Sequence, residues 1–322
     1  MEGRELLEIS SLLVEKIKGI NGKIKSTYQH NQEDKKIIRQ NLLKSGAEFR
    51  QMCRYSTETI SKWLDGREVA GVDGSVNQTK GEAPHVLYVF QALAKTTTGH
   101  QCLTSDVYAP ILEKNDEEDQ GKNWRAHILA KLELEAAFQL LEERDVGLLL
   151  MDGALYHYRI DAQEEWEKLR QKALEKEVVL IGVSEEITTE NLMKLEAFHM
   201  YRNRPQAFDR DLLFGVLERD ELVYVETIQH KAGLQSVWMR PSADPAITGF
   251  DMLEEQAHLK EEVGNLLATL TPKDGRGIPL WLDYIDREVR VTDKLVEALV
   301  EQYIDPELQH RFFAKKRNYR PY

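Results

Sequence analysis

Two short apolar segments of this chain each contain an aspartate followed by a glycine, and they constrain the fold more than any other feature. Asp73 closes the apolar run in VAGVDGSVN, and Asp152 closes the run in LLLMDGALYH. A short apolar run bounded by a turn signal predicts a strand buried on both faces of a sheet. The glycine lets the backbone turn sharply or lets a ligand come close. If the two strands are neighbours, their carboxylates converge at one edge of the sheet.

A pair of converging carboxylates indicates a metal site. Like charges placed close together are unfavourable unless a cation lies between them. Hard oxygen ligands favour Mg²⁺ or Mn²⁺ over zinc. Two such ions can activate a water and stabilise the leaving oxygen of a phosphodiester. Either aspartate alone could instead be a turn-forming residue that caps a loop.

The periodicity of apolar residues predicts the elements around these two strands. Residues 2–66 show the three- and four-residue spacing of helices. Three segments rich in β-forming residues follow, and then come a helix, the Asp152 strand, a second helix and the strand VVLIGVS. Adjacent strands followed by strand–helix–strand units predict a mixed sheet, antiparallel at first and then parallel through crossovers. We therefore predict an α/β fold with a ribonuclease H-like mixed β-sheet core flanked by helices.

Further along the chain the pattern predicts a hairpin from LVYVETIQ to LQSVWMRP with Ala232-Gly233 at its turn, a strand over IPLWLDYI and a helix over VTDKLVEALVEQYI. This organisation divides the chain into an N-terminal helical region, a core domain and a basic, aromatic C-terminal tail. The predicted limits are residues 1–66, 67–300 and 301–322.

The tail places basic side chains next to aromatic ones. Lys315, Lys316 and Arg317 follow Phe312 and Phe313. Bases stack on aromatic rings while cations hold phosphates, so this segment is a candidate single-strand DNA contact. It could equally be an arm that packs on a second subunit or docks on an ATPase.

A third carboxylate would complete a metal site, and the helix before Asp152 offers two. Glu133 and Glu135 lie in KLELEAAF and point in different directions because they are two residues apart. Both flank the inward apolar stripe, so spacing alone does not decide, although we favour Glu133. His157 could contact a phosphate or donate a proton, or be structural. Ser75 could contact substrate or brace the turn.

Charge and hydropathy limit the class of protein. The net charge of −12 excludes a surface coated in nucleic-acid-binding charge but allows a local basic groove. The two cysteines lie far apart and show no metal-ligand spacing, which is typical of reduced thiols. The first residues are charged, and no stretch approaches the roughly 20 apolar residues of a spanning helix. We therefore expect a cytoplasmic protein with no membrane association.

Taken in order, these segments resemble the NurA nuclease family. The resemblance is carried by VAGVDGSVN, RAHILAKLELEAAFQLL, LLLMDGALYH, VVLIGVSEE and GIPLWLDYIDREVRVTD. It implies a ribonuclease H-like core and a Mn²⁺- or Mg²⁺-dependent deoxyribonuclease, with 5′–3′ exonuclease and single-strand endonuclease activity. It also implies a homodimer that works with a hexameric HerA-type ATPase in processing DNA ends for double-strand-break repair.

The resemblance assigns roles to individual residues. Asp73 and Asp152 match the two metal-binding aspartates of the family. Glu133 matches its helix-borne glutamate, with Glu135 as the alternative register. These three matches, Asp73, Glu133 and Asp152, are the implied catalytic set.

Two further positions are less regular. Asp286 in YIDREV is the best match to a metal or substrate ligand that follows the family's last strand, with Arg287 beside it and Asp283 a poorer match. Asp286 could instead pair with Arg287 or Arg290. Glu185 stands where the family often has a lysine, which puts a phosphate-facing lysine in doubt.

Two other classes of protein stay open. Actin-like and sugar-kinase ATPases use the same kind of sheet, but they need two such domains and more glycine-rich phosphate loops than the 19 glycines here supply. A non-catalytic adaptor for a DNA motor would show a lost carboxylate. Asp73 and Asp152 are both present, while Glu185 keeps the adaptor reading open.

Overall fold

The computed structural model describes residues 10–29, 32–112, 123–204 and 207–313. Within these residues ten strands form one mixed sheet. The strands are β1 (Glu48–Gln51), β2 (Glu68–Gln78), β3 (Tyr88–Thr96), β4 (Gln101–Tyr108), β5 (Val146–Asp152), β6 (Val179–Ser184), β7 (Glu221–Tyr224), β8 (His230–Lys231), β9 (Leu234–Arg240) and β10 (Thr248–Leu253).

Helices cover both faces of this sheet. They are α1 (Ser11–Tyr28), α2 (Gln32–Lys44), α3 (Thr57–Leu64), α4 (Trp124–Glu143), α5 (Leu155–Asp161), α6 (Gln163–Glu175), α7 (Asp209–Leu213), α8 (Glu226–Gln229), α9 (Lys260–Leu270), α10 (Leu280–Val289), α11 (Asp293–Tyr303) and α12 (Pro306–Leu308). None of these described helices is long and apolar enough to cross a membrane.

The strand order confirms the predicted fold class. The path through the sheet is β1-β7-β9-β10-β6-β5-β2-β3-β4, with β8 paired to β9. Strands β2, β3 and β4 form an antiparallel meander, while β2, β5 and β6 are parallel. The five-strand unit β6-β5-β2-β3-β4, with α4, α5 and α6 in its connections, is the ribonuclease H-like mixed core that the order of apolar segments predicted.

The central strand β5 explains why its segment is apolar throughout. Leu149 and Met151 pack in the hydrophobic cluster that includes α4 and α6, whereas Leu148 and Leu150 pack in the cluster that includes α9 and α10. All four side chains are fully buried. Burying each contributes roughly 1.5–3 kcal/mol, so a polar substitution on either face would break this strand's packing.

The N-terminal region is not helical throughout. Residues 48–51 form β1, which pairs antiparallel with β7 at one edge of the sheet, so the helix prediction is wrong there. The sequence EFRQ carries no apolar run because an edge strand is exposed over most of its length. Helix α1 has no buried residue. The division at residue 66 and the start of a tail at residue 301 stay predictions.

The prediction of a strand over IPLWLDYI is wrong as well, because helix α10 begins at Leu280 within this segment. Leu282, Ile285 and Val289 are spaced three and four residues apart, and all three are buried on one face. Pro279 occupies the N-cap position of this helix. A helical apolar stripe in so short a segment resembles a continuous apolar run, which explains the error.

Of the other two predictions beyond residue 183, the helix is confirmed and the hairpin is confirmed in part, because its segment ETIQ forms α8 rather than a strand. Strands β8 and β9 form a hairpin whose turn is Ala232-Gly233, with φ of 60° and 77°. Two positive φ angles in a two-residue loop match the twist of the flanking strands. Helix α11 begins after Thr292, whose side chain accepts a hydrogen bond from the Leu295 amide. It ends at Tyr303, before Asp305-Pro306.

Candidate metal centre

The parallel register of β2 and β5 brings the two aspartates side by side. Val72 on β2 pairs with Met151 on β5, and the next residue on each strand is the aspartate. Asp152 is the last residue of β5, as predicted. Asp73 is not at a strand end, because β2 continues to Gln78 and stays paired with β3. The strand beyond Asp73 keeps that carboxylate fixed from both sides.

Both aspartates lie in surroundings that disfavour their charge. The Asp73 side chain is buried, with 8% of the residue exposed. Burial and the nearby charge of Asp152 raise the pKa of Asp73 to about 7, although the Gly74 amide donates to its Oδ1 at 2.7 Å. Burial raises the pKa of Asp152 to about 6, helped by the charge of Asp286 and opposed by Arg276.

The structure brings Glu133 and not Glu135 to these aspartates. Glu133 on α4 is 6% exposed, and its pKa is raised to about 8 by burial and by the charges of Asp73 and Asp152. Glu135 is exposed and lies 3.8 Å from the ammonium group of Lys131. Three carboxyl groups, from β2, β5 and α4, therefore lie close enough for their charges to interact, although among the described residues their oxygen atoms do not all come within 4.8 Å of one another.

Gly74 makes room for the carboxylate of Glu133. Side chains alternate along a strand, and a Cβ atom on Gly71 would meet α10, so Asp73 lies on the α10 face and Gly74 on the α4 face. A Cβ atom at Gly74 would lie 2.7 Å from Leu129 Cδ1 and closer still to Glu133 Oε1. Only a residue without a side chain lets Glu133 reach the sheet here.

Gly153 has a different role. Its φ is +115°, a conformation that other residues rarely adopt, and its amide donates to the Val183 carbonyl at 2.8 Å. No heavy atom lies within 4 Å of the position where its Cβ would be. This glycine turns the chain sharply from β5 into α5.

Tyr158 on α5 joins two of the three carboxyl-bearing segments. Its hydroxyl lies 3.1 Å from the Asp152 carbonyl oxygen and is hydrogen-bonded to the carboxylate of Glu133. That bond lowers the pKa of Glu133 against the effect of burial. The pKa of Tyr158 is raised by burial first and then by the charge of Glu133, so its hydroxyl keeps its proton. Sequence reasoning missed this residue, since only the spacing of Leu155 and Tyr158 along α5 marked an inward face.

Asp286 lies on α10 rather than after a strand, so its predicted setting is wrong. Its Oδ2 accepts a hydrogen bond from Arg290 at 2.5 Å, which is one of the ion pairs considered for it. Its charge also raises the pKa of both Asp73 and Asp152, so it belongs to the same electrostatic environment. Arg287 is exposed, and its Nε donates to the Asp283 carbonyl.

A cation stands beside Asp152, next to Glu185. Arg276 donates to Glu185 Oε2 at 2.8 Å and to Asp283 Oδ1 at 2.6 Å. Its charge lowers the pKa of Asp152. The positive charge at this edge comes from the loop before α10, which no motif in the sequence indicated.

The remaining sequence candidates lie around the centre. Ser75 Oγ accepts from the Val291 amide at 3.0 Å, which braces the end of α10. His157 is exposed on α5 and lowers the pKa of Asp251. Phe312 stacks on His85 with ring centroids 5.5 Å apart. The tail residues predicted to bind DNA lie outside the described residues: Lys315, Lys316 and Arg317.

By distance alone, the one group of three possible ligands among the described residues lies near the β3–β4 turn. The ligating atoms of His100, Cys102 and Glu143 all lie within 4.8 Å of one another. Glu143 is already hydrogen-bonded to His100 at 2.7 Å and to Gln139 at 3.0 Å. Burial raises the pKa of the Cys102 thiol to about 11, which keeps it protonated. This mixed set does not suit Mg²⁺ or Mn²⁺, which prefer oxygen ligands.

The carboxylate cluster, in contrast, fits a hard divalent cation. Asp73, Glu133 and Asp152 offer only oxygen atoms, and the pKa of each is raised because burial and like charges act together. A divalent cation would remove that repulsion and leave all three ionised. Asp152 lies at the carboxyl end of the parallel strand β5, which is the usual place for a binding site in such sheets.

Comparisons with known proteins identify the family and the fold. The family model described as NurA domain matches residues 67–291. The structure is similar to the NurA nuclease from Sulfolobus solfataricus, with a TM-score of 0.59 and 13% identity over 94% of this chain and 98% of that one. The catalytic domain of human endonuclease V gives a TM-score of 0.37 and 12% identity over 85% and 98% of the two chains. No curated protein sequence matches significantly.

Proposed function

The chain belongs to the NurA domain family, and we propose that it is a DNA nuclease that requires Mn²⁺ or Mg²⁺. The observation that carries this proposal is that the charges of buried Asp73, buried Glu133 and half-buried Asp152 interact and that the pKa of each is raised. Such a cluster is unfavourable without a cation and has no evident structural use. The all-oxygen donor set is the one that divalent-metal phosphodiesterases require.

The three carboxylates would hold the metal, with Asp286 as a fourth ligand once it leaves Arg290. Ions bound there would activate a water and stabilise the leaving oxygen of the phosphodiester. The sheet fixes Asp73 and Asp152, and the Tyr158 hydroxyl orients Glu133. These contacts keep the ligands in place before substrate arrives, which lowers the reorganisation that catalysis needs.

Arg276 is placed to hold a phosphate beside the metal. Its guanidinium group is half exposed and already pairs with Glu185 and Asp283. A planar guanidinium binds phosphate through two parallel hydrogen bonds. If a phosphate displaced Glu185 from the guanidinium group, Arg276 would have the role that the resemblance gives to a lysine in relatives.

We further propose the finer activities that the family resemblance implies. These are 5′–3′ exonuclease and single-strand endonuclease action in the resection of DNA ends for double-strand-break repair, in the cytoplasm and with a HerA-type ATPase. A homodimer is supported by α1, whose apolar side chains are exposed. They include Leu13, Ile17, Ile20 and Ile24.

The test uses the purified full chain on linear single- and double-stranded DNA. Reactions contain Mn²⁺, Mg²⁺ or EDTA, with and without a HerA-type ATPase, and ATP hydrolysis by the isolated chain is measured in parallel. We expect DNA degradation with Mn²⁺ or Mg²⁺, none with EDTA, and no ATP hydrolysis. If no combination of metal and ATPase yields cleavage, the protein is an adaptor rather than an enzyme.

A further inference from the structure

A cavity of about 420 Å³ opens directly beside Asp152, where β5 and β6 end. Its size is within the roughly 300–1,000 Å³ of small-molecule sites. Asp152 belongs both to the carboxylate centre and to the cavity wall, so the two are continuous. Most of the wall is apolar, contributed by Val183, Ile187, Ile228, Val237, Trp238 and Phe250.

One polar side chain in this wall lacks a partner. Gln229 is 2% exposed, and its Oε1 accepts a hydrogen bond from the Val225 amide at 2.5 Å. Its Nε2 has no hydrogen-bond partner in the part of the chain that the structure describes. A buried donor without an acceptor is costly, and native structures usually explain one by a ligand, ion or water. An acceptor atom on a bound molecule would satisfy it.

Asp251 also lines the cavity, but its side chain, unlike that of Gln229, has hydrogen-bond partners for its polar atoms. The Asp251 carboxylate accepts from the Ser236 hydroxyl at 2.6 Å and from the amides of Leu155 and Tyr156. It therefore caps the start of α5 and has no need of a ligand. Gln229 is the buried lining residue whose hydrogen bonding is incomplete among the described residues.

The mouth of the cavity combines an aromatic ring with a cation. Tyr156 is half-buried, and the Lys231 ammonium group lies 4.0 Å from the centre of its ring. Both residues line the cavity. Aromatic rings stack on nucleobases and cations hold the sugar–phosphate backbone, so a base would stack on Tyr156 once Lys231 moves from the ring to a phosphate.

We propose that this cavity takes the base of the nucleotide next to the cleaved phosphodiester, with Gln229 donating to an acceptor atom on that base. The proposal rests on the proposed nuclease function, because it assumes that the carboxylate centre holds the phosphate. A base that enters this cavity has left its stack and its partner strand. The substrate at this site is therefore an unpaired strand, and a duplex end must fray before it is cut.

Binding is tested first, without catalysis. Each of the four deoxynucleoside 5′-monophosphates, and 2-deoxyribose 5-phosphate as the base-free probe, is titrated into the full chain in EDTA. Tryptophan fluorescence reports binding because Trp238 lines the cavity, and Trp238→Phe verifies the origin of the signal. We expect at least one nucleotide to bind about tenfold tighter than the base-free probe.

Two glutamine variants locate the effect. Gln229→Glu keeps the acceptor for the Val225 amide and has no donor left at a pH at which the new buried carboxyl is ionised, so the preference for a base should then fall about tenfold. Gln235→Glu is the matched control, since Gln235 is also buried and incompletely bonded but lies outside the cavity. If Gln229→Glu does not fold, Tyr156→Ala should produce the same loss.

Cleavage is tested second, on a single-stranded oligonucleotide in which one abasic residue is moved along the strand. We expect kcat/KM for the bond beside the abasic residue to fall about tenfold, and Gln229→Glu to remove that difference. Equal binding of nucleotides and the base-free probe, or cleavage indifferent to abasic residues, would overturn the proposal. Base-dependent binding without DNA cleavage at any metal would instead refute the nuclease function and leave the base pocket standing.

Discussion

The two Asp-Gly pairs have the same letters but are built differently. Asp73-Gly74 lies in the middle of β2, and its glycine is needed because the carboxylate of Glu133 approaches from α4. Asp152-Gly153 ends β5, and its glycine is needed because the chain turns there with φ of +115°. The comparison teaches that one dipeptide can provide space for a partner or freedom for the backbone.

The aspartates of the two pairs differ as well. The pKa of Asp73 is raised to about 7 and that of Asp152 to about 6. At Asp152 the charge of Arg276 opposes the rise in pKa that burial causes. At Asp73 burial and the charge of Asp152 raise the pKa, and the Gly74 amide and the charge of Arg290 oppose that rise. Burial is thus the main cause of the raised pKa at both aspartates, and they differ in the groups that oppose it.

Removing either carboxylate should have the largest effect. We expect Asp73→Asn and Asp152→Asn each to lower kcat for DNA cleavage with Mn²⁺ by at least about 10²-fold, because each loses a charge that holds the metal. Asp106→Asn is the control, since Asp106 is exposed on β4. A variant that keeps a tenth of the wild-type rate would show that its aspartate is not a ligand.

Alanine at the two glycines should separate space from backbone freedom. Gly74→Ala should displace the Glu133 carboxylate and weaken Mn²⁺ binding about 10- to 100-fold. Gly153→Ala has room for its methyl group but a strained φ, so the free energy of unfolding should fall by about 1–3 kcal/mol. Calorimetric Mn²⁺ titration and urea unfolding measure both. Equal losses in both quantities would show that the glycines do not differ.

The metal-free protein should lose stability as pH rises. The folded-state pKa of Glu133 is raised to about 8, above the roughly 4.3 of an unfolded chain, so folding favours its protonated form. The stability it contributes is full below about pH 4.3 and is lost as pH rises through about 8. Asp73 and Asp152 lose theirs earlier, by about pH 7 and 6.

Urea unfolding in EDTA between pH 5 and 9 measures this loss as the difference between wild type and Glu133→Gln. As pH rises, the free energy of unfolding of the wild type should fall relative to that of Glu133→Gln. Added Mn²⁺ should strongly stabilise the wild type but not the variant. Glu135→Gln should follow the wild type at every pH, because Glu135 is exposed. A pH-independent difference between wild type and Glu133→Gln would contradict the raised pKa.

The smallest expected effect comes from the hydroxyl that orients Glu133. Tyr158→Phe should lower Mn²⁺ affinity about tenfold, because second-shell hydrogen bonds orient ligands. Tyr224→Phe is a matched control, since that buried tyrosine donates to Glu48 at 3.1 Å on the other side of the sheet. Equal Mn²⁺ affinities in the wild type and Tyr158→Phe would mean that the hydroxyl serves only the fold.

The sequence by itself predicted the core of the fold and two of the three carboxylates of the candidate centre. Strands β5 and β6 are buried on both faces, so their segments are apolar throughout and recognisable without a partner. Their order along the chain restricts the topology, because crossovers between parallel strands need helices. Edge strand β1 was missed because its segment has no apolar run. Helix α10 was predicted as a strand because its short apolar stripe resembles a continuous apolar run.

Only the tertiary structure chose Glu133 as the third carboxylate of the candidate centre and showed which residues lie near that centre. Spacing along α4 places Glu133 and Glu135 equally beside the apolar stripe, and the choice depends on Gly74 of β2 lying beneath Glu133. Tyr158 and Arg276 reach the centre from other segments and belong to no motif. Periodicity fixes which side chains share a face, but the group that lies opposite comes from a distant part of the chain and is set by packing.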